Sequence, residues 1–431
     1  MAMKYKPYPT YKDSGIPWLG EVPAGWEVIR LKHNFRLLTQ KTDRRENPVA
    51  LENIQSWLGR FIPTETEFEG EGIAFERGDI LFGKLRPYLA KAFLAETAGE
   101  AVGDFFVMRP TSDVNGRFAL YQILNKDFIS IVDGSTFGAK MPRASWEFMS
   151  GMVLAMPTQD EQSAIATFLD RETAKIDTLI AKQEHLIELL QEKRTALISH
   201  AVTKGLNPDV PMKDSGVEWL GEVPGHWEVS QLRRYILFIT SGSRGWAEHY
   251  VESGSIFIRI GNLTRDSINI DLTDVQHVQP PTGSEGERTA IKESDILFSI
   301  TAYLGSVAVA GREIEGAYVS QHVALVRVDT SLIYPRFMAY MMLSDGGKNQ
   351  LQGSAYGGTK VQLGLDDVRE IWIPVPFLEE QKAIATFLDR ETTKIDTLIQ
   401  KSRHAIDLLK ERRTALISAA VTGKIDVRDR V

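Results

Sequence analysis

The sequence predicts a mixed α+β protein built as a tandem duplication. Two similar globular α/β domains are joined by two long antiparallel helices that form a coiled coil. Three observations carry this expectation. The stretch Glu161–Gly205 (EQSAIATFLDRETAKIDTLIAKQEHLIELLQEKRTALISHAVTKG) has no internal proline, and its one glycine is its last residue. It returns at Glu380–Lys424 with 33 identities in 45 ungapped positions. A second motif, Lys12–Leu31 (KDSGIPWLGEVPAGWEVIRL), returns at Lys213–Leu232 (KDSGVEWLGEVPGHWEVSQL) with 14 identities in 20. A chain of 431 residues exceeds one ordinary domain. The repeats divide it into a first domain at 1–158, a helix at 159–204, a second domain at 205–378, and a helix with a tail at 379–431.

The composition, 43% apolar and 25% charged, is that of a soluble globular protein. No run of eighteen apolar residues exists, so no membrane span is expected. The N-terminus lacks the apolar core of a secretion leader, which points to the cytoplasm. The absence of cysteine excludes disulfides, thiolate zinc sites and cysteine nucleophiles. The net charge of −7 argues against a nucleic-acid binder, and residues 1–158 balance 19 basic against 19 acidic groups. DNA binding would need locally arranged charge, or a partner that supplies much of the phosphate contact.

Taken in order, Lys12–Leu31 reads as a tight irregular segment entering a strand near Trp26–Leu31, with Trp18, Trp26, Trp219 and Trp227 as packing residues. Gly78–Leu85, Tyr88–Leu94 and Asp104–Met108 read as strands of an irregular sheet. Arg117–Leu124 and Pro142–Met149 read as short helices. The second domain follows the same course, with strands at Ser294–Phe298, Val307–Ala310 and His322–Val328 and a helix at Pro335–Leu343. Gly134–Gln162 and Gly353–Gln381 align at the same offset as the helices, 353 − 134 = 219. The interiors of the two domains have diverged much more than the helices. A duplicated frame holding two different recognition surfaces accounts for that contrast.

In the first helix Leu169, Ile176, Gln183, Leu190 and Leu197 recur at sevens, with Ile165, Leu179, Ile180 and Leu186 beside them. The second helix repeats this with Leu388, Ile395, Ser402, Leu409 and Leu416, flanked by Leu398 and Ala405. The pattern predicts a coiled-coil seam with a polar register device at Gln183 and Ser402. The alternative is two amphipathic helices, each packed on its own domain. Antiparallel pairing would place the domains at opposite ends of a rod of roughly 60 Å, given about 1.5 Å of rise per residue. Such a rod suits two sites on one face of duplex DNA. The charged residues outside the seam, among them Asp170, Arg171, Glu172, Lys175 and Arg194, form either a solvated face or a docking surface for two copies of a partner.

These residues resemble a known family. The paired motifs KDSGIPWLGEVPAGWEV and KDSGVEWLGEVPGHWEV, the segments GDILFGKLRPYLAK and SDILFSITAYLGS, and the helix starts and ends are similar to those of DNA-specificity subunits of type I restriction–modification systems. The resemblance covers essentially the whole chain. It implies two target-recognition domains that each read half of a split DNA sequence, with the helices setting the gap. It also implies two methyltransferase (modification) subunits and two restriction/translocase subunits as partners. S-adenosylmethionine, ATP and Mg belong to those partners, which methylate adenine N6 and cleave. This chain itself is expected to be non-catalytic, without cofactor or metal. In keeping with that, the sequence has no [ND]PP[YF] tetrad, no glycine-rich adenosylmethionine loop and no GxxxxGK[ST]. Glu380–Gln381–Lys382 resembles the end of a nuclease motif, but its copy is Glu161–Gln162–Ser163 in helical sequence. The histidines, including the repeat pair His185 and His404, show no metal-ligand spacing.

Base readout needs Arg, Lys, Asn or Gln at groove edges, with other groups on phosphates. Candidates beside glycine or proline are Lys84, Arg86, Tyr88, Lys140 and Arg143 in the first domain. In the second they are Arg244, Trp246, Arg259, Asn262, Arg265, Tyr303, Gln321, His322, Tyr356 and Lys360. Each has the alternative of being an ordinary surface or core group. Rival functions are a stand-alone DNA-binding regulator and a protein-binding scaffold without DNA contact.

Overall fold

A computed structural model describes residues 5–42, 46–64, 71–138, 140–280, 283–302, 304–353 and 362–430. The chain forms two compact units that cut across the linear order. One comprises residues 1–184 and 403–431, the other residues 185–402. Each unit thus contains one sheet domain and one half of each long helix, Gln159–Lys204 and Leu378–Val421.

In the first unit a four-stranded antiparallel sheet runs in the order Ala92–Leu94, Ile80–Gly83, Phe105–Pro110, Phe35–Leu38. Its central strands alternate between two cores, as period-two side chains must. Ile80, Phe82, Phe106 and Met108 face the core shared with the helices. Leu81, Phe105 and Val107 face a smaller core against a second sheet, Lys41–Thr42, Gly72–Phe75, Gly99–Val102 and Pro48–Val49. Burial on both faces explains why GDILF reads as an apolar run without alternation. The buried Asp79 before this strand is held bidentately by Arg109, at 2.7 and 2.8 Å.

The second unit repeats the plan. Ile236–Ser241, Val323–Val328, Ile296–Ser299 and Val307–Val309 form its sheet. Ile296 and Phe298 face one core, Leu297 and Leu325 the other. Asp295 and Arg327 repeat the buried fork at 2.8 and 2.6 Å. The tryptophans expected to pack do so: Trp26 and Trp227 are buried, and Trp18 and Trp219 pack at the core margins. One expected helix differs. Helix begins only at Trp146 and ends at Gly151, because Pro142–Ala144 is extended and pairs with another loop.

The long helices pack antiparallel within each unit. In the first, Ile165, Leu169, Ile176 and Ile180 share a core with Leu409, Leu416, Ile417 and Ala420. In the second, Leu197, Ile198 and Ala201 share a core with Ile384, Ala385 and Leu388. The inward stripe is two interleaved rows. One is the row at sevens, Leu169 to Leu197 and Leu388 to Leu416, all buried or half-buried, with Gln183 half-buried and Ser402 buried. The other is Thr173, Ile180, Ile187, Arg194 and Ala201, repeated as Thr392, Ile399, Ile406, Arg413 and Ala420. The flanking positions Leu179, Leu186 and Leu398 do not belong to the seam and are exposed. Arg194, read as part of a charged outer face, is buried in the second row. Its Nε donates to Asp396 at 3.0 Å, and its repeat partner Arg413 donates to Asp177 at 3.0 Å.

Candidate nucleic-acid interface

Each sheet domain is fixed to its long helix by the residues that the two copies share. Gln162 and Gln381 are buried in the first turn of each helix. Gln162 Oε1 accepts the Asn115 amide at 2.8 Å, and its Nε2 donates to the Asp113 and Pro157 carbonyls. Gln381 makes the same three bonds to Tyr334, Leu332 and Pro376. This ends the comparison of Glu380–Lys382 with a nuclease motif, because the glutamine is a structural clasp. Asp170, read as part of a charged outer face, accepts from Arg117 Nε and the Tyr121 hydroxyl, both at 2.7 Å. Asp389 does the same with Arg336 and Tyr340. Burial pushes the Tyr121 hydroxyl up to about 12, helped by its bond to Asp170, so it stays a donor.

With the frame fixed, the loops at one end of the central strands are the parts free to differ. In the first unit the strand Ile80–Gly83 runs into a loop whose backbone meets two others. The Lys84 amide donates to the Asp104 carbonyl at 2.8 Å. The Arg86 amide donates to Pro142 O, and the Ala144 amide to Lys84 O, both at 2.8 Å. Arg86 is held left-handed, at φ 51°. For a side chain other than glycine this costs energy, and such strain concentrates at functional sites. The loops therefore bring Lys84, Arg86 and Arg143 together. Asp104 lies among them, accepting from Arg143 Nη2 at 3.0 Å and standing 3.6 Å from Lys84 Nζ. Lys140 is exposed on the same Phe137–Arg143 loop, and Tyr88 is exposed with its amide on Asp133.

The second unit builds the same backbone. The Ile300 amide donates to His322 O at 3.1 Å, the Leu363 amide donates to Ile300 O at 2.9 Å, and Thr301 bridges Gln362. Ala302 takes the left-handed place of Arg86, at φ 57°. Register thus equates Lys84 with Ile300, Arg86 with Ala302, Asp104 with His322, and Arg143 with Gln362. His322 ring nitrogens lie 3.0 Å from Thr301 Oγ1 and 3.0 Å from Gln321 Nε2. The sequence pointed to Gln321 and His322, which converge here. It missed Asp104, Thr301 and Gln362, whose place follows only from backbone pairing.

Apart from Arg265, the remaining candidates scatter. Trp246 is not a contact residue: it is 3% exposed and stacks on Phe257 at a 5.3 Å centroid distance. Asn262 is likewise internal. It accepts the Arg259 amide at 2.9 Å and donates to the Asp271 and Asp274 carbonyls. Asn53 closes the corresponding turn of the first unit. Arg259 is half-buried and pairs with Asp274 at 3.3 Å. Arg244 is exposed in a turn away from the His322 cluster in sequence, whereas Arg265 is exposed and lines one cavity with Ala302 and Lys348. Tyr303, Tyr356 and Lys360 lie outside the described residues. No helix among the described residues is long and apolar enough to cross a membrane.

A family model for the type I restriction modification DNA specificity domain matches residues 267–407. The type I restriction enzyme MjaVIII specificity subunit of Methanocaldococcus jannaschii is 23% identical over 424 residues, covering 95% of this chain and 95% of that protein. The EcoBI specificity subunit of Escherichia coli is 20% identical over 409 residues, covering 92% of this chain and 84% of that protein. Among solved structures, a chain from the type I R-M system aligns with a TM-score of 0.69 at 18% identity, over 93% of this chain and 98% of its own. The HsdS subunit from Thermoanaerobacter tengcongensis aligns with a TM-score of 0.52 at 16% identity, over 94% of this chain and 98% of its own.

Proposed function

We propose that the chain is a type I restriction–modification DNA-specificity subunit, like the relatives it resembles, and that it reads a bipartite duplex, one half-site per sheet domain, with the helices setting the gap. It acts in sequence-specific DNA recognition and is not itself the catalyst. The observation that carries the bipartite reading is the pair of equivalent loop clusters. One backbone frame, repeated down to the left-handed residue, presents Lys84, Arg86, Asp104 and Arg143 in one copy and Ile300, Ala302, His322 and Gln362 in the other. Shared backbone with different donors and acceptors is what two readers of different sequences need.

Partner methyltransferase and restriction subunits, with their S-adenosylmethionine, ATP and Mg, supply the chemistry, and the assembly works in the cytoplasm. The docking places we assign to the modification subunits are the outer helix faces. Each copy leaves the same two leucines exposed there: Leu179 and Leu398 at 47% and 49%, Leu189 and Leu408 at 48% and 51%. The test of independent reading replaces Arg86 or Lys140 with Ala and measures affinity of the assembled complex for duplexes altered in either half. Binding should weaken about tenfold through one half-site only. Equal loss on both halves would defeat the claim.

A further inference from the structure

The difference between the two clusters has a chemical direction. In the first, Asp104 takes one Arg143 donor, and its side chain is 24% exposed against 47% for Arg143. A carboxylate so placed restrains the guanidinium through one bond and leaves its other donors free of Asp104. The Lys84 ammonium lies on the other carboxylate oxygen and 5.9 Å from the centroid of the Phe106 ring. An arginine held this way presents a rigid fork, which matches the O6 and N7 acceptors of guanine in the major groove. The second cluster has no lysine or arginine at the four equivalent positions. Gln362 stands in place of Arg143, His322 in place of Asp104, and Ile300 and Ala302 replace Lys84 and Arg86. A carboxamide fork matches adenine N6 and N7.

We propose that Arg143 is the specificity-determining residue of the first reader, set to read a guanine, and that Asp104 is its positioning residue. The proposal rests on the half-site reading above. Asp104 acts through Arg143: it selects the rotamer and holds it before DNA arrives, so less order must be imposed on binding.

The test uses the full chain assembled with its methyltransferase partners. The wild-type complex first defines its two half-sites by mapping of methylated adenines. Asp104→Asn, Arg143→Lys and Arg143→Gln complexes are then assayed on duplexes in which each base pair of each half is changed in turn. Asp104→Asn and Arg143→Lys should each lose about tenfold or more of the discrimination at one G·C pair of one half. Arg143→Gln should move the preference at that pair towards A·T. Discrimination in the other half stays unchanged, which reports that the chain still folds and assembles. Unchanged discrimination in both halves, or relaxation at an A·T pair, would overturn the proposal. If Asp104→Asn fails to fold, Arg143→Lys, a change at a half-exposed position, decides alone. A wild-type complex that methylates no two-part sequence would instead overturn the half-site reading, so the two failures are distinguishable.

Discussion

At the scale of residues, a buried glutamine joins each sheet domain to its helix. Gln381 is fully buried, and its three bonds satisfy the Tyr334 amide and the Leu332 and Pro376 carbonyls. Gln381→Ala would leave these groups buried without partners, a cost of about 1–3 kcal/mol. The expected outcome is an earlier denaturant transition for the second unit, while Gln162→Ala moves the first. If both substitutions leave both transitions in place, the clasp is not structural. The repeat made these glutamines visible in the sequence, yet nothing local said why they recur. A glutamine that satisfies turns 47 to 49 residues away is legible only when the chain has folded. Trp246 and Asn262 show the converse. A tryptophan and an asparagine, each after a glycine, read as reach towards DNA, and the fold turns both inward to pack and to close a turn.

At the scale of elements, the helices were the most legible part, because heptad spacing survives without tertiary information. One row of the seam was found by its leucines. The second row was hidden by its polar members, Thr173, Arg194, Thr392 and Arg413, which break the apolar pattern. Those arginines are repeat equivalents with unequal surroundings. Arg413 also donates to Trp57 O at 2.9 Å, and its partner Asp177, 10% exposed, accepts in addition from Arg60 at 2.7 Å. Asp396, the partner of Arg194, is 53% exposed. Removing one partner of a buried pair leaves a charge uncompensated, whereas a solvated carboxylate is stabilised by water. Arg413→Met should therefore destabilise its unit by about 3 kcal/mol, and Arg194→Met by about 1 kcal/mol. Denaturation followed by unit-specific probes checks the order. Equal effects would mean that the extra contacts of Arg413 add nothing.

At the scale of the whole molecule, duplication was plain from the sequence, and so was the greater divergence of the sheet domains. The two loop clusters were only half legible. Lys84, Arg86 and Arg143 stood out as cations near proline or glycine, but the equivalence of Asp104 with His322 and of Arg143 with Gln362 depends on strand register. The net charge of −7 is compatible with the proposed reading, in which the chain would contact base edges and its partners would neutralise most phosphates.

The central claim is that two independent readers are spaced by the helices. Methylated adenines mapped in a host carrying this chain and its partners test it most directly, beside the same host carrying a four-residue insertion at Gln183. The account predicts one two-part sequence with a fixed unread gap for the native chain, and the same two halves at a different gap for the insertion. A continuous target, or a gap unchanged by the insertion, would contradict it.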